Sequence, residues 1–142
     1  MTILRQILEE KGTQVFGIAP EDTVLDAIQA MADHNVGALV VLDGEALVGI
    51  VTERHYARKV FLKGKSSPKT KVRDIMSAPV ICVSPEQSVD EGMALMTDKE
   101  VRHLPVISDN KVVGIVSIGD LVKNKISDQK FVIDQLEHYI SR

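Results

Sequence analysis

The sequence predicts a mixed α/β (α+β) fold built from two similar halves. The chain has 142 residues, the size of one ordinary domain, and its 44% apolar and 26% charged residues are typical of folded globular proteins. The sequence matches itself at an offset of 65 positions, pairing 20–52 with 85–117 without a gap, and 12 of the 33 pairs are identical. Each half shows the order β-α-β-β-α. We therefore predict two repeats related by a pseudo-twofold axis, with one further helix at each end of the chain.

The chain begins with a predicted helix, and a short strand follows it. Ile3, Leu4, Ile7 and Leu8 form one apolar stripe at helical spacing. The first strand of each repeat is expected from Val15 to Ile18 and from Val80 to Val83. A proline follows each strand after one intervening residue, and it limits the strand because the residue before proline avoids helical geometry.

A helix and a hairpin are predicted next in each repeat. The helix is indicated by helically spaced apolar residues, which are Val24, Ile28 and Met31 in the first repeat and Val89, Met93 and Met96 in the second. The hairpin strands are apolar runs, expected at 38–42 and 47–51 and again at 104–107 and 112–116. Asp43-Gly44 and Asp109-Asn110 supply residues suited to tight hairpin turns.

The last helix of each repeat is expected to begin after Thr52 or Ser117, whose hydroxyls can cap it. Gly64, Ser66, Ser67 and Pro68 mark a linker, so we divide the chain into 1–70, with the N-terminal helix, and 71–142, with the C-terminal helix. The C-terminal helix carries a stripe of Val132, Leu136, Tyr139 and Ile140. Two uses stay open for both terminal helices, namely packing onto the module and a subunit interface.

Charge and composition exclude several classes of protein. Seventeen basic and 20 acidic residues give a net charge of −3, and aromatic residues are only 4%, so we do not expect a nucleic acid partner. Seven basic residues fall within 58–73, and we expect them mainly to solvate the linker and a helix end. The longest apolar run has 7 residues, far fewer than the roughly 20 that span a membrane.

Catalysis and metal binding find no support in the residue pattern. The four histidines and the single Cys82 lack metal-ligand spacing, and Cys82 is expected to be a buried apolar residue within its strand. No sequence motif of a hydrolase, a phosphate-binding loop or a zinc protease is present, so we expect no catalytic residues. One cysteine and an N-terminus without a signal peptide favour a cytoplasmic location.

Three sets of motifs carry a family resemblance. They are the paired strings Gly49-Ile-Val-Thr52 and Gly114-Ile-Val-Ser117-Ile-Gly-Asp120, the segment from Val101 to Val106, and Val72-Arg73-Asp74-Ile75-Met76. In this order they resemble a tandem pair of CBS domains, the Bateman module, over nearly the whole chain. The resemblance implies a regulatory module that binds adenine nucleotides or related adenosine ligands in clefts between its halves, and that commonly forms a dimer.

Ser117 and Asp120 form the leading candidate for a nucleoside-binding pair. Ser117 lies at a predicted helix N-terminus, where free N–H groups and the helix dipole favour phosphate. Asp120 follows one turn later, and its carboxylate can accept hydrogen bonds from two ribose hydroxyls. The same spacing also suits a plain capping box that only stabilises the helix.

The first repeat departs from this pattern because His55 occupies the position of Asp120. We therefore expect two unequal sites, with the Thr52 and His55 site weak, altered or empty. Pseudo-symmetry makes Arg54 a candidate phosphate partner for the Asp120 site. Arg102 and His103 are candidates for the Thr52 site, although both arginines and this histidine can equally be structural. The resemblance also implies that Thr13, Val15, Val80 and Pro105 line adenine.

The leading function is a regulatory, non-catalytic nucleotide sensor that needs no cofactor. AMP is the first choice of ligand, with ATP, ADP or NAD after it. The alternative is a structural or interaction module whose clefts have lost their ligand. We also expect a homodimer, because the stripes of Met31, Met93 and Met96 exceed what one small sheet can cover. An effector protein is a further expected partner, unless the module acts alone as a sensor or buffer.

Overall fold

The structure, a computed structural model that describes residues 1–140, contains two halves of mixed helix and sheet. Its α-helices are α1 (Leu4–Lys11), α2 (Val24–His34), α3 (Glu53–Tyr56), α4 (Val89–Lys99) and α5 (Ile118–Ile140). Its strands are β1 (Gly17–Ile18), β2 (Ala38–Asp43), β3 (Ala46–Thr52), β4 (His103–Ser108) and β5 (Lys111–Ser117). None of the helices in this range combines the length and apolarity required to cross a bilayer.

The first half is a three-stranded sheet in the order β1-β2-β3. β1 runs parallel to β2, and β2 pairs with β3 in an antiparallel hairpin with Val40 opposite Ile50. β1 is shorter than the predicted strand from Val15 to Ile18, since only Gly17 and Ile18 pair with β2. α3 continues as a π-helical turn over Ala57–Phe61, and Val60 from this turn is buried in the core of the first half.

The second half contains the matching hairpin of β4 and β5, with Pro105 opposite Ile115. The strand predicted from Val80 to Val83 is wrong, because within the described chain only Val83 of this segment bonds to β4. The Val83 N–H donates to the Pro105 carbonyl at 3.0 Å, and the Val83 carbonyl accepts from Ile107 at 2.8 Å. Val80 and Ile81 instead face the space between the halves. Cys82 is consequently only half-buried, which still raises the pKa of its thiol.

Helix α1 precedes the first repeat in sequence but packs against the second. Leu4, Ile7 and Leu8 belong to the apolar cluster that also holds Leu104 and Leu121. Gly114 makes this contact close, because a Cβ at its position would lie only 2.6 Å from a Leu8 methyl carbon. The N-terminal apolar stripe therefore packs onto the module, which is the first of the two uses predicted for it.

The methionine stripes do not lie on the surface. Met31 and Met96 are each 3% exposed and belong to the cores of the first and second halves. Met93 is half-buried beside the second core. The argument for a homodimer from these methionines is therefore wrong, because each helix uses them to cover its own half.

Helix α5 is one continuous helix of 23 residues, whereas the sequence predicts two separate helices here. No proline or glycine interrupts the chain from Asp120 to Ile140, so nothing ends the first helix before the second begins. Leu121 is fully buried, but Val132, Leu136, Tyr139 and Ile140 are all more than half exposed. Packing of the C-terminal stripe onto the module is therefore wrong for the described residues.

Candidate functional site

Two cavities lie between the halves. The first has a volume of about 610 Å³ and is lined by residues that include Thr52, Arg54, His55, Lys59, Val80, Lys99, Arg102 and His103. The second has a volume of about 390 Å³ and is lined by residues that include Lys11, Gln14, Phe16, His34, His103, Ile115 and Ser117. Gly37 and His103 line both cavities, so they mark the boundary between the two.

The first cavity is built around the N-terminus of α3. The Thr52 hydroxyl accepts a hydrogen bond from the His55 N–H at 3.2 Å, and His55 Nδ1 accepts one from the Thr52 N–H at 3.1 Å. Because Nδ1 accepts, the neutral ring carries its proton on Nε2, which lies 2.9 Å from Ser77 Oγ. The imidazole thus closes a capping box and links α3 to the segment that follows the linker.

The charge of the first cavity comes from its arginines and lysines rather than from His55. Burial, together with the nearby charges of Lys59 and Arg54, lowers the pKa of His55 to about 4, so the ring is neutral at pH 7. Four cationic side chains and two carboxylates line the cavity; they are Arg54, Lys59, Lys99 and Arg102 with Glu53 and Glu100. The lining therefore carries two net positive charges.

The lowered pKa of His55 predicts that acid weakens the fold. A histidine that titrates near 4 when folded and near 6.5 when unfolded takes up more protons in the unfolded state between these values. Stability is therefore complete above about pH 6.5 and falls as the pH drops towards 4. In His55→Asn, whose amide oxygen can still accept from Thr52, the melting temperature should depend less on pH. An NMR titration of the His55 ring with a midpoint near 6.5 would contradict this prediction.

The second cavity has the same cap with a carboxylate in place of the imidazole. Asp120 Oδ2 accepts from the Ser117 N–H at 2.8 Å, and the Ser117 hydroxyl accepts from the Asp120 N–H at 3.2 Å. Ser117 lines the cavity. Asp120 itself lines neither cavity, but its carboxylate contacts Ser117 and Lys11, and both of these residues line the second one. Ser117 and Asp120 therefore do form the predicted capping box, and a role in nucleoside binding stays a prediction.

Lys11 from the end of α1 contacts the Asp120 carboxylate. Its Nζ donates to Asp120 Oδ2 at 2.7 Å and to the Ile115 carbonyl at 2.9 Å. Burial raises the pKa of Asp120, but the hydrogen bonds from Lys11 and from the Ser117 N–H outweigh it, so the pKa lies below its ordinary value. Asp120 is consequently ionised at neutral pH and already engaged by a cation.

The remaining surface of the second cavity is partly aromatic. The rings of Phe16 and His34 stack with centroids 3.8 Å apart and planes 12° from parallel. His103 lies at the boundary, and burial lowers its pKa, with the charge of Asp120 acting in the opposite direction. A neutral imidazole and a stacked ring pair suit an aromatic ligand better than a polyanion.

Arg54 lies elsewhere than the sequence predicts. It lines the first cavity beside His55, and the cation at Asp120 is Lys11. The assignment of Arg54 to the Asp120 cleft is therefore wrong, because Arg54 lies in the helical turn that Thr52 caps, and this turn lines the first cavity. Arg102 and His103 do line the cavity of Thr52, and Val80 lies with them.

Three residues assigned to adenine by resemblance line neither cavity. Thr13 is exposed and Val15 is half-buried, although the neighbouring Gln14 and Phe16 line the second cavity. Pro105 is buried in β4, where its carbonyl accepts from Val83. A role for these residues in ligand binding stays a prediction.

Sequence reasoning missed several cavity residues. Lys59 belongs to the basic run that the sequence predicts to solvate the linker and a helix end. In the structure its Nζ donates to the Ile75 carbonyl, and Lys59 lines the first cavity. Lys71 and Arg73 of the same run pair with Glu21. Lys11 and Lys99 each end a helix in sequence, and nothing local indicates that the two halves bring them to the cavities.

Comparison with known proteins identifies the architecture. The family model described as the CBS domain matches the chain twice, over residues 11–61 and 72–127. The chain belongs to the CBS-domain family. It is a CBS pair, with two halves built as the internal repeat predicts.

Relatives of this CBS pair come from plants, bacteria and archaea. The CBS domain-containing protein CBSX3, mitochondrial, of Arabidopsis thaliana is 43% identical and covers 98% of this chain and 72% of its own length. A Burkholderia ambifaria protein named for signal transduction and CBS domains has a TM-score of 0.87 and 51% identity, covering 90% of this chain and 96% of that one. A CBS domain pair solved with 5′-methylthioadenosine and S-adenosyl-L-methionine has a TM-score of 0.79 and 25% identity, covering 90% and 98%.

Proposed function

We propose that this CBS pair is a regulatory module that binds an adenosine-containing ligand between its halves and passes the bound state to a partner. The observation that carries the proposal is the first cavity, where Arg54, Lys59, Lys99 and Arg102 surround about 610 Å³ of space. This volume lies within the roughly 300–1,000 Å³ typical of small-molecule sites. The solved relative with two adenosine ligands supports the ligand class.

AMP is the proposed first ligand, with ATP, ADP and NAD as further candidates. A phosphomonoester carries a charge of about −1.5 to −2 at pH 7. The two net positive charges of the first cavity complement this charge. The planar forks of Arg54 and Arg102, which both line this cavity, suit phosphate oxygens.

The second cavity is proposed to select a ribose through Asp120, and Lys11 competes with the ligand for this carboxylate. In Lys11→Met the carboxylate loses its cation, so adenosine should bind about two- to fivefold more tightly, the range of a partly exposed ion pair. Lys63→Met, at an exposed lysine outside both cavities, serves as the control. Weaker adenosine binding to Lys11→Met in calorimetry would show that Lys11 itself contacts the ligand.

Regulation requires that the ligand bind two arrangements of the halves unequally. A ligand in either cavity contacts both halves at once, so its affinity depends on how the halves are arranged. We propose a homodimer as the acting unit, with a separate effector protein as the receiver of the signal. The cytoplasmic location also stays a prediction.

The function is tested by thermal unfolding with AMP, ADP, ATP, NAD and S-adenosylmethionine, with GMP as the control. A ligand at 100 times its Kd stabilises the folded state by about 2.7 kcal/mol. At least one adenosine ligand should raise the melting temperature, and GMP should raise it less. Absence of any shift at millimolar concentrations would reject ligand sensing.

A structural or interaction module is the second candidate function. It is favoured by two observations, namely that His55 replaces the carboxylate in the first half and that Lys11 engages Asp120 in the second. If no adenosine ligand stabilises the chain but the homodimer forms, this function replaces the first.

A further inference from the structure

The C-terminal part of α5 presents a row of apolar side chains that no other described residue covers. We define the α5 seam as Val122, Ile126, Gln129, Ile133, Leu136 and Ile140. Its apolar members are all exposed, from 39% at Val122 to 79% at Ile140. A row of this length on one helix is unlike the scattered apolar residues of an ordinary surface.

The spacing of the α5 seam matches a helix-pairing surface. Ile126, Ile133 and Ile140 follow one another at intervals of seven, and so do Val122, Gln129 and Leu136. These two series alternate by three and four residues, which is the pattern of the a and d positions of a coiled coil. The seam therefore fits a second helix better than a flat sheet.

The helix also extends beyond the module that supports it. Its last contacts are the ion pair of Lys125 with Asp90 at 2.7 Å and the hydrogen bond from Thr2 to Asp128 at 3.3 Å. All side chains of 129–140 are exposed. This part is about 18 Å long at 1.5 Å per residue, and an isolated helix of such length is only marginally stable in water.

We propose that the α5 seam pairs antiparallel with the same seam of a second copy of the chain. This proposal rests on the homodimer proposed above. In the antiparallel register Ile126 packs against Leu136 of the partner subunit, and Lys123 lies beside the partner's Glu137. The symmetry repeats both contacts, so the charged pair forms twice.

Charge decides between the two orientations. Lys123, Lys130 and Glu137 flank the seam on one side, and Lys125 flanks it on the other. A parallel pair would place Lys125 beside the partner's Lys130 twice, which is repulsive, and would leave Glu137 without a lysine. The antiparallel pair instead forms two attractive contacts, at the cost of one close approach between the two copies of Lys130.

The first test compares two variants of the full chain by sedimentation at several concentrations. Ile133→Asp with Leu136→Asp places charges on the seam and should raise the dimer dissociation constant about 100-fold or more. Phe131→Asp is the matched control, because Phe131 is 65% exposed but lies on the opposite face of the helix. The Phe131→Asp substitution should change the dimer dissociation constant less than about threefold, as expected for a residue away from an interface.

The second test uses charge exchange to establish orientation. Glu137→Lys should raise the dissociation constant about 3- to 10-fold, since it creates two like-charge contacts. Adding Lys123→Glu to this variant should return the dissociation constant to that of the unmodified chain. A failure of this rescue would overturn the antiparallel register.

The outcomes separate this proposal from the one on which it rests. An unmodified chain that stays at its monomer mass of 15.6 kDa up to about 100 µM, well above the Kd of stable assemblies, would overturn both proposals. A dimer that persists unchanged in the seam variant would overturn only the α5 pairing. Circular dichroism confirms that each variant is folded before it is compared.

Discussion

Arg54→Ala is expected to weaken AMP binding about 10- to 150-fold while it changes adenosine binding less than threefold, since one hydrogen bond to a charged group contributes about 1.5–3 kcal/mol. Arg54 lines the first cavity beside Thr52 and His55. His55 is neutral at pH 7, so it cannot replace the lost positive charge. Calorimetric titration of both ligands into both proteins measures the contrast.

The control for this result is Arg58→Ala. Arg58 is an exposed arginine on the next turn of the chain, and it does not line the first cavity. The Arg58→Ala substitution removes the same charge from the protein. It should change the AMP affinity less than about twofold relative to the unmodified chain, as expected for a screened surface charge. Equal losses of AMP and adenosine in Arg54→Ala would exclude Arg54 as a phosphate contact.

Asp120→Asn is expected to lower adenosine affinity at the second cavity about 10- to 150-fold, because the neutral amide loses charge-assisted hydrogen bonds to ribose hydroxyls. Asparagine is preferred to alanine here because its oxygen can still accept from the Ser117 N–H and keep the helix cap. The loss of folding stability should therefore stay small, and a thermal melt of the ligand-free variant measures it.

The matched comparison for Asp120 changes the ligand instead of the protein. 2′,3′-Dideoxyadenosine lacks the hydroxyls that the carboxylate is proposed to hold, so it should bind the unmodified chain weakly. The Asp120→Asn substitution should therefore reduce the affinity for dideoxyadenosine only slightly. If adenosine and dideoxyadenosine lose affinity equally in the variant, the ribose contact lies elsewhere.

The internal repeat predicts most of the architecture, because the repeated elements are determined by residues that are close together in the sequence. The hairpins of β2 with β3 and of β4 with β5, and the caps at Thr52 and Ser117, depend on nearby residues. Their positions follow from apolar runs, turn residues and capping hydroxyls. The capping box of Ser117 with Asp120 is likewise a property of four consecutive residues.

The remaining features depend on contacts between residues far apart in sequence. Lys11 meets Asp120 across 109 positions, and α1 packs on the second half although it precedes the first. The segment of Val80 and Ile81 has the composition of a strand but lines a cavity, because the tertiary arrangement of the halves decides its pairing. Apolar periodicity identified the α5 stripe, but it could not tell internal packing from a free surface.

A crystal structure of the chain with saturating AMP would show whether an adenosine nucleotide binds between the two halves. We expect AMP in the first cavity, with its phosphate about 2.7–3.2 Å from the guanidinium of Arg54 or Arg102. AMP bound outside both cavities, or absent from both at saturation, would contradict it.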